Sequence, residues 1–208
     1  MPTLLLTGFG PFPGAPFNPT ERLVKQLARL RRPALADVTI VPHIFDTSYQ
    51  AVDRELPRLM AQHKPDALLM FGLAARTKHL RIETRARNAL ALLPDVSGKV
   101  LRRSAIAQGM PVLLAMPTPA RRLLAAALNA HVPVALSCDA GRYLCNYLCW
   151  RAAEAASEAG GPRLAAFVHV PLVRRHARPR QAKAPLSSAD LLRAGNRLMA
   201  AIIAAMGR

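Results

Sequence analysis

Short apolar runs separated by helix-patterned stretches constrain the fold of this chain more than any other feature. The runs are Thr3–Thr7, Val38–Val41, Ala67–Phe71, Val112–Met116, Val132–Leu136 and Arg163–Val170. A strand with one wet face alternates polar and apolar side chains. Continuous runs belong instead to strands covered on both faces, as in parallel sheets. Between the runs, apolar residues recur at helical spacing: Leu23, Val24, Leu27 and Leu30; Val52, Leu56, Leu59 and Met60; Leu123, Leu124 and Leu128. A further helical pattern runs from Tyr143 to Ala156, and a last one carries Leu191, Leu192, Leu198, Ile202 and Ile203. Strands alternating with helices predict an α/β fold with a mostly parallel central sheet. At 208 residues the chain suits one domain spanning 1–208, with no repeat, linker or second domain.

Local signals place the element ends. Asn18-Pro19-Thr20-Glu21 reads as a helix start, with Asn18 as cap, Pro19 as first helical residue and Glu21 as reciprocal capping partner. Asp46, Thr47 and Ser48 are possible caps for the next helix, in which Pro57 implies a kink or restart. Ser187 or Ser188 caps the last one, and Pro94 to Gly98 is a turn. The glycine-rich stretch Gly8 to Gly14 is only superficially a dinucleotide loop. Pro13 stands where the third glycine belongs, and two prolines remove amide donors that a pyrophosphate needs. A rigid loop presenting Phe9 and Phe12 is the better reading, as the wall of a small apolar pocket or as core packing.

Composition narrows the function classes. No apolar run reaches the ~18 residues of a membrane span, and Leu4–Leu6, the apolar run nearest the start, has no basic flank before it. With an odd three cysteines, the expectation is a cytoplasmic protein without export signal or disulfide framework. The net charge is +17, and only five of the 29 basic residues are lysine. Arginine and alanine are abundant together along the whole chain, which fits compositional bias. The densest basic cluster is Arg174, Arg175, Arg178, Arg180 and Lys183. It has no interleaved aromatics and is interrupted by Pro179, so a solvated loop is expected there rather than a nucleic-acid site. Cys138, Cys145 and Cys149 lack zinc-site spacing and form no CxxC pair, so neither a metal nor a cofactor is expected.

Chemistry concentrates in Ser137-Cys138-Asp139-Ala140-Gly141-Arg142-Tyr143-Leu144-Cys145-Asn146. A strand leads in and a helix leads out, which puts Cys145 in the helix's first turn. Unpaired N–H groups and the helix dipole favour a thiolate there. The competing reading is a small buried hydrophobe, and Cys149, one turn further on, fits that reading. His169 ends the last strand, just before Pro171. Of the six histidines it is best placed to face the same sheet edge as Cys145. Glu83 is the only acid between Asp66 and Asp95, among Arg76, Lys78, Arg81, Arg85 and Arg87. It is either an exposed carboxylate in weak ion pairs or a polar group at a strand's C-terminal edge.

These residues resemble the pyroglutamyl peptidase I, or pyrrolidone-carboxylate peptidase, family. Thr7-Gly8-Phe9-Gly10-Pro11-Phe12 followed by Asn18-Pro19 is similar to its N-terminal signature. Ala140 to Asn146 resembles its nucleophile motif A-G-T-Y-x-C-N, and Phe167-Val168-His169-Val170-Pro171 its histidine motif. Glu83 to Asn88 resembles E-R-V-A-x-N, keeping Glu, Ala and Asn. The resemblance implies a three-layer α/β/α sandwich, a Cys145–His169–Glu83 triad and removal of N-terminal pyroglutamate from peptides. It also implies that Phe9 and Phe12 contact the lactam ring, that Asn18 helps hold the site, and that the protein forms dimers or tetramers. Three departures stand out. Gly72-Leu73-Ala74-Ala75-Arg76 replaces a Gly-Gly-Arg segment, with Leu73 at a position many members fill with Gln. Ala91-Leu92-Leu93-Pro94-Asp95 lacks the family's arginine before the turn, and Thr84 follows the glutamate in place of Arg. The alternatives are a homologue with changed substrate or lost activity, and a basic nucleic-acid-binding protein.

Overall fold

Residues 1–31, 36–173 and 186–207 are described in a computed structural model. The basic cluster from Arg174 to Lys183 lies outside them. The strands are β1 (Thr3–Phe9), β2 (Thr39–Phe45), β3 (Ala67–Leu73), β4 (Leu80–Glu83), β5 (Arg85–Arg87), β6 (Leu113–Ala115), β7 (Val134–Ser137) and β8 (Leu164–Val170). The helices are α1 (Pro19–Ala28), α2 (Tyr49–His63), α3 (Ala120–Leu128), α4 (Leu144–Ser157) and α5 (Ser188–Met206). A six-stranded sheet has the order β2-β1-β3-β8-β4-β7. Neighbours from β2 to β8 are parallel; β4 runs antiparallel to β8, and β7 runs parallel to β4. The mostly parallel sheet expected from the apolar runs is therefore present.

Side-chain alternation sorts the core into two halves. Leu4 and Leu6 of β1, Ala67, Leu69 and Phe71 of β3, and Ala166, Val168 and Val170 of β8 pack with α1, α3 and α5. The alternate residues Leu5, Leu68, Met70, Ala165 and Phe167 pack with α2 and α4. Helices thus cover both faces, giving the three layers. In β4, Leu80 and Ile82 belong to the first half. Glu83 and Arg81 alternate with them and so face the α2/α4 side, as does His169 in β8.

The helix ends follow the capping signals, with corrections. Asn18 caps α1 through a 3.1 Å bond from the Thr20 amide, but Glu21 pairs with Lys25 at 2.6 Å. One helical turn separates those two residues, and the lysine ammonium takes the carboxylate in place of a reciprocal cap. Ser48 caps α2, which runs uninterrupted through Pro57 instead of restarting there. Ser187 caps α5 in a capping box with Asp190. The stretch around Leu113–Ala115 is a strand, yet it pairs only with β5 in a separate two-stranded sheet. β4 has no apolar run to announce it; buried Leu80 and Ile82 alternate with Arg81 and Glu83. β2 forms one edge of the main sheet and carries Pro42 at its centre, in register with Leu6.

Leu69 lies in the central strand β3 with no exposed surface. Leu69→Ala should cost about 2–5 kcal/mol, read as a lower denaturant midpoint at unchanged m-value.

Candidate active site

Three side chains from three elements converge on the α2/α4 side of the sheet. Nδ1 of His169 donates to Glu83 Oε1 at 2.8 Å. Cys145 lies beside the same imidazole, near enough for its sulfur to favour the charged ring. Glu83 is fully buried and His169 is 5% exposed, whereas Cys145 keeps part of its surface open. The reading of Glu83 as an exposed carboxylate in weak ion pairs is overturned: strand β4 carries it into the interior between β8 and β7.

The route by which Cys145 reaches His169 also differs from expectation. A shared sheet edge would need β7 and β8 to run the same way, and they run oppositely. The 138–143 turn instead returns the chain so that the first turn of α4 lies on the sheet face. Gly72, in register with His169, makes room for it. A Cβ at Gly72 would stand 2.8 Å from Cys145 Sγ and 2.5 Å from Phe167 Cζ. The sulfur therefore rests directly against the β3 backbone. Tyr143, the N-cap of α4, supplies no capping side chain to the first-turn amides.

Several residues that hold this arrangement did not stand out in the sequence. Asn146 is fully buried; its Oδ1 accepts from the Arg87 amide at 2.8 Å, and its Nδ2 donates to the Arg87 and Ala89 carbonyls. It staples α4 to the 84–91 segment beside Cys145. Asp139 Oδ1 accepts from Arg87 Nε at 3.1 Å and from the Gly141 amide at 3.0 Å, which closes the turn. Arg81 reaches Glu83 Oε1 at 3.1 Å. Asn146 sits next to the cysteine and Arg81 two residues before the glutamate. Only the strand alternation of 80–83, hidden by two charged residues, could have marked Arg81 as inward-facing.

The N-terminal residues are placed differently from one another. Phe9 ends β1 instead of lying in a loop; it is buried against Phe45, with ring centroids 6.0 Å apart. Phe12 is half-buried in the loop that follows. Asn18 is buried, and its Nδ2 donates to the Gly10 carbonyl at 3.0 Å, buckling that loop onto α1. Thr47 Oγ1 donates to the same carbonyl at 3.2 Å. Among the described residues no group of three or more His, Cys, Asp or Glu side chains is arranged to hold a metal, and no helix is long and apolar enough to cross a membrane.

The sequence model of the pyroglutamyl peptidase family matches residues 2–207. The chain belongs to the pyroglutamyl peptidase family. A pyrrolidone-carboxylate peptidase of Pyrococcus furiosus is 30% identical over 171 residues, 82% of this chain and 81% of the relative. One of Deinococcus radiodurans is 33% identical over 178 residues, 82% of this chain and 78% of the relative. The structure of a mutant pyrrolidone carboxyl peptidase from Pyrococcus furiosus superposes with a TM-score of 0.86 at 26% identity, covering 98% of this chain and 99% of that one. The enzyme from Thermococcus litoralis gives 0.86 at 25% identity, covering 97% and 93%. Pyroglutamyl peptidases of this family are cysteine peptidases, and the chain is one of that type.

At His169, charge and burial pull in opposite directions. Burial alone would lower its pKa. The charge and hydrogen bond of Cys145, then the hydrogen bond and charge of Glu83, outweigh burial and raise it to about 9. Cys149, fully buried one turn beyond Cys145, is pushed well above the ordinary thiol range by burial and by the nearby Cys145 and Glu83, which fits the packing role expected for it. Because the folded pKa of His169 lies above its unfolded value near 6.5, its contribution to stability is complete below about pH 6.5 and is lost as pH rises through about 9. Denaturant midpoints should fall across that window, and His169→Gln should flatten the fall. Gly72→Ala should displace Cys145 or Phe167, cutting activity by roughly 100-fold, the loss that a misplacement of about 1 Å produces. A kinetic comparison at matched folded fraction reads it.

Proposed function

We propose that this peptidase removes pyroglutamate from the N-terminus of peptides, with Cys145 as nucleophile, His169 as proton carrier and Glu83 as the carboxylate that orients His169. The observation that carries this reading is the continuous chain from Glu83 Oε1 through the imidazole to the sulfur at the start of α4, with 2.8 Å at its carboxylate end. Cys145 passes its proton to His169, and its Sγ attacks the carbonyl carbon joining pyroglutamate to the next residue. The oxygen becomes an oxyanion, favoured by the unpaired first-turn amides of α4. His169 then gives its proton to the departing amine as the C–N bond breaks, leaving a thioester on Cys145. Water, losing a proton to His169, attacks the thioester and releases free pyroglutamate with the thiol restored. Glu83 holds Nδ1 throughout and so fixes which nitrogen faces the sulfur.

For the lactam, the reading uses Phe12 as a wall of the pocket, with Phe9 packed behind it. Asn18 holds the loop's shape through Gly10, and a neutral ring is favoured over an ammonium that would have to be desolvated. The unpaired state of all three cysteines supports a cytoplasmic setting. The dimer or tetramer implied by the family resemblance belongs to the same reading; light scattering reads its size.

A pyroglutamyl chromogenic amide tests the proposal. Wild-type protein under reducing conditions should cleave it, and a prolyl amide should not be cleaved. Cys145→Ala and prior alkylation should each reduce turnover to background. kcat/KM should fall on the alkaline side as His169 loses its proton near pH 9. Folded wild-type protein that leaves the substrate intact would remove the pyroglutamyl reading.

A further inference from the structure

Arg81 occupies a position that neither the catalytic chemistry nor packing alone explains. It lies directly across from His169 in the antiparallel β4–β8 pair. Its Nη2 stands 3.1 Å from Glu83 Oε1, and the side chain is only 24% exposed. The same nitrogen donates to Ser137 Oγ at 2.6 Å and to the Asp139 carbonyl. Ser137 ends β7, and Asp139 opens the turn that delivers Cys145. Ser137 Oγ in turn accepts from the Asp139 amide at 3.3 Å, and Asp139 Oδ1 accepts from the Gly141 amide at 3.0 Å. One guanidinium group thus touches the carboxylate arm of the site and the first residues of its nucleophile arm.

Glu83 gives this contact its weight. The carboxylate has no exposed surface, and its Oε2 has no hydrogen-bond donor among the described residues. Compensation for the charge gathers on Oε1, shared by His169 Nδ1 and Arg81. A planar guanidinium can hold several acceptors in fixed relative positions; an ammonium is a single point charge.

We infer that Arg81 is a positioning residue that fixes Glu83 relative to the turn leading to Cys145, so that the carboxylate, imidazole and sulfur keep one geometry. The inference rests on reading Cys145, His169 and Glu83 as the triad. It has two consequences. Arg81 acts on the chemical step and not on substrate binding, and its effect requires the Glu83 charge.

The test compares Arg81→Met, Arg81→Lys and Ser137→Ala, with Arg81→Met also made in a Glu83→Gln background. On a pyroglutamyl amide, Arg81→Met should lower kcat by roughly 10- to 100-fold with KM changed by less than about threefold. Arg81→Lys should recover part of the loss. In the Glu83→Gln background the further loss should stay within about twofold, because the partner is already gone. Ser137→Ala removes only the hydroxyl acceptor and should lower kcat alone. It carries the test if Arg81→Met does not fold. Multiplying losses in the double variant, or KM rising in step with falling kcat, would reduce Arg81 to general structural support and overturn the inference, as would an unchanged kcat.

A second readout is independent of peptidase activity. His169 is faced by Glu83 and Arg81 from β4 and by Cys145 from α4, with the uncharged Phe167 ring at 5.0 Å. Removing one of the two cations on Oε1 should move the alkaline inflection of Cys145 alkylation by iodoacetamide upward in Arg81→Met, and Arg81→Lys should return it. An inflection that stays put overturns the inference even if no pyroglutamyl amide is cleaved. An inflection that moves in an inactive wild-type background leaves Arg81 in its role and discards only the substrate reading.

Discussion

The contact between a carboxylate with no exposed surface and an imidazole 2.8 Å away is the constraint on which the site depends. A buried charge is costly unless paired, and removing one partner is worse than never having had the pair. Glu83 can lie where it does only because β4 is inserted between β8 and β7 and brings Arg81 with it. The antiparallel junction between β8 and β4 is thus tied to the site. A wholly parallel sheet would have put the end of β4 at the other margin, away from Phe167 and His169. The resulting imidazole is strongly basic for a histidine, since the charge of the Cys145 sulfur and the Glu83 carboxylate both favour its protonated form.

Much of the fold was legible in the sequence because burial on both faces leaves a compositional trace. β1, β2, β3, β7 and β8 each correspond to an apolar run, and α1 to α5 to helical spacing. β4 was not legible. Its inward positions alternate between the two core halves and include Arg81 and Glu83, so it reads as a charged loop. The same blindness applied to the site. Cys145, His169 and Glu83 were each picked out by position or motif, and the structure brings them together. Their mutual orientation rests on β4, which periodicity could not find, and on Gly72, whose importance is a missing Cβ under a sulfur.

The N-terminal signature divides along similar lines. Phe9 and Phe12 are three residues apart and look equivalent in sequence, but Phe9 is the last residue of a buried strand and Phe12 is on the loop. Asn18 does two jobs at once, accepting from Thr20 to start α1 and donating to Gly10 to pin the loop. A capping residue identified from sequence is thereby also a fastener for the segment beyond the strand. No periodicity reports such a dual role, because the two partners lie on opposite sides of it in the chain.

Sheets built from parallel strands have two margins, and each is a potential template for another chain. One margin here is β7, only four residues long. The other is β2, seven residues long, whose middle residue is Pro42. Proline has no amide hydrogen, and in an edge strand its nitrogen faces outward. The longer margin is therefore interrupted at its centre, so an approaching strand would find a broken row of donors. Pro42 thus works against strand-to-strand templating along the longer margin of a sheet rich in continuous apolar strands.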